Sequence, residues 1–141
     1  MSGCDIGPAV GEGEMAEIAI DAMVRRFYAL CDKDDRLGPM FARVIPDFAE
    51  HYGFVRDFWS HALLGTDRYQ RGTPYSHHLT LTVEEEDFTR WMRAFVQAVE
   101  ETLPEPLAAS ALQRARHMTA SFKMGMLPLP KPGAPAAPAA S

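Results

Sequence analysis

Apolar side chains recur along this chain at three- and four-residue intervals, and the stripes they form predict helices. Ile20, Val24, Phe27 and Cys31 share one face, with Met23 and Leu30 widening it. That spacing predicts an amphipathic helix from about Met15 to Cys31. Asp32-Lys33-Asp34-Asp35 closes it as a polar turn, and Leu37-Gly38-Pro39-Met40-Phe41 reads as one or two further helical turns. A second long helix is expected over Asp47 to Leu64, with Pro46 in its first turn and Gly65 as its C-terminal cap. Its inner face is Phe48, His51, Val55, Phe58, Trp59 and Ala62. Thr82-x-x-Glu85 has the form of a capping box. Phe88, Trp91, Met92, Phe95, Val96, Val99 and Leu103 follow at helical spacing. Pro104 and Pro106 break this helix. A last one, about Leu107 to Met126, carries Ala111, Ala115, Met118, Phe122 and Met126 on one face.

No strand pattern and no internal repeat interrupts this succession, so the fold class is all-α, with four main helices and short connectors packing in antiparallel pairs. Residues 1–13 read as a flexible N-terminal arm, 14–126 as the folded domain, and 127–141 as a disordered Pro/Ala-rich tail. The loop from Thr66 to Ser76 is long for a compact domain, a length that usually accompanies function or disorder. His77 to Leu81 forms a short helical turn in this reading.

Composition narrows the function classes. The 141 residues are 47% apolar, enough for a real core, and the net charge is −5 with acids and bases interspersed. Such a balance argues against nucleic acid as a partner. No apolar run approaches the ~20 residues of a membrane helix. The Gly- and acid-rich start lacks the layout of a secretory signal. Cys4 and Cys31 have no metal-type spacing and read as two reduced thiols of a cytoplasmic protein.

Candidate chemistry gathers on two histidines in aromatic company. His51 lies on the apolar face of its helix, one turn before Val55 and two before Phe58 and Trp59. His78 stands in Pro74-Tyr75-Ser76-His77-His78-Leu79. Imidazole is the commonest metal ligand in proteins. Here it is set among apolar rings rather than carboxylates or thiolates, surroundings that suit a flat organic cofactor holding one iron. Taken singly, each residue has a plainer reading. His78 fits an ordinary loop histidine, with His77 beside it leaving the register open by one. His51 fits the rim of the core, and Tyr28 and Trp91 fit its interior.

The ordered set is more specific than its members. Phe27-Tyr28, Leu37-Gly38-Pro39-Met40-Phe41, His51-x6-Phe58-Trp59, Leu63-Leu64-Gly65, Tyr69, Pro74-x3-His78-Leu79 and Phe88-x2-Trp91 together resemble the truncated haemoglobins, over about residues 15 to 126. Within that family they look most like the third group, whose members lack the paired glycines that mark the other two. The resemblance implies a two-over-two helical sandwich around one haem b (iron protoporphyrin IX). It makes His78 the proximal iron ligand, and Tyr28, His51 and Trp91 the residues facing the bound ligand. It places Phe27, Phe41, Val55, Phe58, Trp59, Tyr69, Leu81, Met118 and Phe122 around the haem, with Tyr69 and Arg71 as candidates for its propionates.

The expected function is binding of O2 and other small ligands (NO, CO, peroxide) at a polar distal pocket. This suits oxygen, NO or peroxide chemistry, or oxygen binding, better than bulk oxygen transport. A reductase that recycles ferric iron is an expected partner, and the chain is expected to be a monomer or a weak dimer. The alternatives are a haem-based sensor or interaction module, and a haem-free helical adaptor in which the histidines are bystanders.

Overall fold

The computed structural model describes residues 11–70 and 82–126. Among them are five helices and no strand: α1 (Glu12–Asp32), α2 (Leu37–Val44), α3 (Phe48–Leu64), α4 (Glu85–Thr102) and α5 (Glu105–Met126). Helix α1 packs on α4 and α3, and α5 packs on α4 and α3, so the α1–α3 pair lies over the α4–α5 pair. This is the all-α packing that the periodicity predicted, in the two-over-two arrangement that the resemblance implied. The short α2 bridges α1 and α4. No described helix is long and apolar enough to cross a membrane.

The core is built from the stripes read in the sequence. Ile20, Met23, Val24, Phe27, Tyr28 and Cys31 of α1 are buried, against Phe95, Ala98 and Val99 of α4 and Ala111 and Ala115 of α5. The alanines let α4 and α5 approach closely, and burial of the larger side chains supplies most of the driving force, about 1.5–3 kcal/mol each. Gly38 is required by a close approach at the α1–α2 corner. A Cβ there would sit 2.7 Å from the Asp32 carbonyl oxygen.

Helix ends depart from the expected positions, each for a local reason. Helix α1 begins at Glu12 rather than Met15, and Glu12 and Glu14 in its first turn favour the positive end of the helix dipole. Pro46 lies outside α3 rather than in its first turn. Asp47 is the N-cap, its carboxylate accepting from the Glu50 N–H at 3.1 Å. Gly65 ends α3 as expected, at φ 76°. The capping box of α4 is formed by Glu84 and Asp87, two residues beyond the Thr82–Glu85 frame. Asp87 is drawn into that position by Arg36, whose Nε donates to it at 2.8 Å. Helix α5 starts at Glu105 rather than Leu107, because Pro106 is harmless in a first turn. Phe48, expected inward, is 38% exposed.

Candidate functional site

One large cavity opens between the two helix pairs, with a volume of about 610 Å³. That lies within the ~300–1,000 Å³ of pockets that enclose a small molecule or cofactor. Its wall contains Phe27, Tyr28, Phe41, His51, Val55, Phe58, Trp59, Tyr69, Trp91, Met118 and Phe122. These eleven were expected at the site from the sequence, and the fold brings all of them to a single cavity. His78, Leu81 and Arg71, together with His77, lie outside the described residues.

Helix α1 delivers Phe27 and Tyr28, which are neighbours in sequence and edge-to-face in space at 5.0 Å between ring centres. Helix α4 delivers Trp91 one turn before Phe95, and their rings are stacked at 5.4 Å with 3° between planes. Phe95 stacks in turn on Trp59 of α3 at 5.0 Å. Phe27 meets Trp91 edge-on at 5.3 Å. This run of rings gives one side of the cavity a rigid wall, each pair adding about 0.5–1.5 kcal/mol beyond area burial.

The polar part of the wall is small and specific. Tyr28 Oη and His51 Nε2 are 2.7 Å apart, a short hydrogen bond between α1 and α3. Phe41, Phe48 and Tyr52 surround the Tyr28 ring at 5.8, 6.3 and 5.4 Å. Burial, helped by the nearby Cys31 and Tyr52, pushes the Tyr28 phenol well above its ordinary range, so it stays protonated and can donate. Trp91 adds an indole N–H donor to the wall. Burial likewise pushes the Cys31 thiol up. It is a neutral, free thiol in the core rather than a nucleophile.

Several lining residues escaped the sequence reading. Phe54 is three residues after His51 and four before Phe58, and that spacing alone could have placed it on the same face. Phe95 could have been found the same way, one turn after Trp91. Asp87 could not. It is 6% exposed and joins the wall as a charged residue, which amphipathic patterning assigns to solvent. Burial raises its carboxyl pKa, but hydrogen bonds from Arg36 and the Glu84 N–H outweigh that and hold it below the ordinary range.

The cavity suits a flat, largely apolar group. Its walls are mostly aromatic and aliphatic, one face carries the Tyr28–His51 pair, and the Trp91 indole supplies a further donor. Among the described residues no three His, Cys, Asp or Glu side chains gather as a metal site. A metal carried inside an organic cofactor, needing one or two protein ligands, fits that donor set better than a metal held by protein alone.

Comparison with known proteins agrees with the geometry. A family model for bacterial-like globins matches residues 12–126. A group 3 truncated hemoglobin of Campylobacter jejuni is 30% identical over 110 residues, covering 74% of this chain and 86% of that protein. A crystal structure of the group III truncated hemoglobin from Campylobacter jejuni superposes with a TM-score of 0.72 at 29% identity, covering 78% of this chain and 90% of that one. The chain belongs to the bacterial-like globin family, with the truncated-globin fold. Globins are haem proteins that bind small gaseous ligands, and that is the coarse function of this chain.

Proposed function

We propose that the chain holds haem b in the 610 Å³ cavity and binds O2, with NO, CO and peroxide as related ligands, in the cytoplasm. The observation that carries the reading is the wall itself, largely aromatic and aliphatic, with the Tyr28–His51 pair and the Trp91 indole set among those apolar side chains. The bound haem would supply an iron centre able to take a diatomic ligand or peroxide. The protein supplies the rest. His78, in the segment that follows Tyr69, is the proximal iron ligand by family resemblance. Phe27, Phe41, Val55, Phe58, Trp59, Met118 and Phe122 exclude water and shape the slot.

Tyr28 and Trp91 are hydrogen-bond donors facing a place from which water is excluded, where such bonds are stronger than in bulk solvent. His51 Nε2 competes for the Tyr28 hydroxyl. A phenol is a good donor and an imidazole nitrogen without a proton a good acceptor, so in the tautomer that carries its proton on Nδ1 His51 accepts from Tyr28. The donor strength available to a ligand is therefore set jointly by α1 and α3. A polar distal pocket of this kind favours ligand retention, and with it chemistry on oxygen, NO or peroxide, over rapid exchange. That chemistry calls for an electron source, and a reductase is the proposed partner.

Absorption spectra of the ferric, ferrous and CO-bound forms test the haem reading directly. A strong band near the blue edge of the visible is expected, with His78→Ala losing stable haem and His77→Ala keeping the wild-type spectrum. A purified chain that takes up no haem would overturn the reading. Loss of haem in the His77 variant with retention in the His78 variant would move the ligand by one residue.

A further inference from the structure

Near the C-terminal end of α3, nine residues on from the His51 that meets Tyr28, a polar hub joins three parts of the chain. Its centre is Ser60, a fully buried serine in the last two turns of α3. The Ser60 hydroxyl donates to Glu17 Oε2 of α1 at 2.7 Å, lies 2.7 Å from the Thr66 hydroxyl, and accepts from Arg68 Nη2 at 2.9 Å. Arg68 also donates to both Glu17 carboxylate oxygens at 3.0 Å and to Asp57 Oδ1 at 3.2 Å. His61 Nδ1 lies 2.6 Å from the Thr66 carbonyl oxygen, which ties the same connection to α3 a second time. The residue after Arg68 is Tyr69, which lines the cavity with its ring edge-on to Phe58 at 5.4 Å.

We infer that Arg68 is a positioning residue for the cavity. By gripping Glu17, Asp57 and Ser60 it fixes the register in which the chain leaves α3, and so delivers Tyr69, rather than a neighbour, to the cavity wall. The need for such a device follows from the local sequence. Gly65 ends the helix in a left-handed conformation, and after it the chain has no backbone ladder to set which side chain turns inward. Arg68 and Tyr69 are consecutive, and their side chains part, one to the α1–α3 surface and one to the cavity. A slip of one residue would bring the Arg68 cation or the Gln70 amide to the apolar wall, where an unpaired polar group is disfavoured.

The hub is not explained by stability alone. Arg68 is 47% exposed, and half-exposed ion pairs add little net stability. A rigid planar fork with several acceptors, on the other hand, is well suited to defining one geometry. The connection then continues directly into residues 71–81, which carry His78.

The inference rests on the haem reading, and its test separates the two. Haem release from the holoprotein to an excess of a haem-scavenging apoprotein is followed for wild type, Arg68→Met, Tyr69→Ala and the double variant. Arg68→Met is expected to release haem roughly ten-fold faster, equivalent to about 1.4 kcal/mol. In the Tyr69→Ala background the same substitution should add about two-fold or less, because residues acting as a unit are not additive. Glu17→Gln, nearly isosteric, should act in the same direction and guards against a folding defect peculiar to Arg68→Met. Equal increments in the two backgrounds, or an unchanged release rate in both Arg68→Met and Glu17→Gln, would overturn the positioning role. If the wild type takes no haem, the haem reading fails first. Amide hydrogen exchange in the cofactor-free chain then still decides whether Arg68 anchors residues 66–70. Faster exchange there in Arg68→Met is expected, and no change refutes the anchor.

Discussion

The Tyr28–His51 bond makes a prediction opposite in sign to the usual expectation for a distal histidine. At 2.7 Å, the Tyr28 hydroxyl is already engaged by His51 Nε2. With the His51 proton on Nδ1, Nε2 accepts from Tyr28. A hydrogen bond to a partly charged group contributes about 1.5–3 kcal/mol, and a ligand competing with His51 for the same proton receives only part of that. Replacing His51 with Leu removes the competitor while keeping the wall apolar. The full donor strength of Tyr28 then turns to the ligand, and oxygen dissociation should slow by roughly ten-fold. Tyr28→Phe should speed dissociation, by about three-fold in the wild-type background and ten-fold or more in His51→Leu, since only there is the whole bond lost. Ligand entry should quicken in His51→Leu, because His51 is half-buried at the cavity wall. Stopped-flow replacement of oxygen by carbon monoxide gives all four dissociation rates, and flash photolysis gives association. An effect of Tyr28→Phe equal in both backgrounds would refute the competition. Slower dissociation in Tyr28→Phe would remove Tyr28 from the ligand side altogether.

Other consequences follow from the same structure. Trp91→Phe keeps the stack on Phe95 but removes the indole N–H, so oxygen dissociation should rise about ten-fold with little change in melting temperature. Phe95→Ala empties the position between Trp59 and Trp91 and should destabilise the cofactor-free chain by about 3–5 kcal/mol in urea denaturation. Asp34 and Asp87 should make the fold acid-sensitive. Burial raises both, but hydrogen bonds from the Leu37 and Arg36 N–H groups and from Arg90 hold Asp34 below its ordinary range, as those from Arg36 and Glu84 hold Asp87. A carboxyl lowered by folding stabilises above its unfolded pKa of about 3.9, and that contribution is lost as pH falls through the folded value. The urea midpoint should therefore drop below about pH 4, and Asp87→Asn should flatten that dependence. A chain ending at Met126 should keep the haem spectrum and the helical circular dichroism, since Leu127–Ser141 offers almost no apolar face. A large fall in melting temperature would show that the tail packs on the domain.

Much of this protein is written in its periodicities. The stripe from Ile20 to Cys31 and the one from Phe88 to Leu103 each define a helix and its inner face without reference to anything else, because 3.6 residues per turn is a local property. The polar turn at 32–35, Gly65 and Pro104 mark where α1, α3 and α4 stop. The ordered set of motifs, through the family it resembles, named eleven residues that meet in one cavity. What periodicity could not supply is any relation between helices. That Tyr28 and His51, 23 residues apart, share a hydrogen bond depends on how α1 crosses α3. Asp87 enters the wall only because Arg36, 51 residues earlier, neutralises it there. Nothing in their local sequence singles out Arg68 or Ser60. Their partnership with Glu17 needs the start of α1 laid beside the end of α3. A charged side chain is buried only where an opposite charge meets it, and such meetings are fixed by packing rather than by neighbours in sequence. Local spacing thus determined the helices and the apolar wall, while the polar groups that tune and position the site were decided by the tertiary fold.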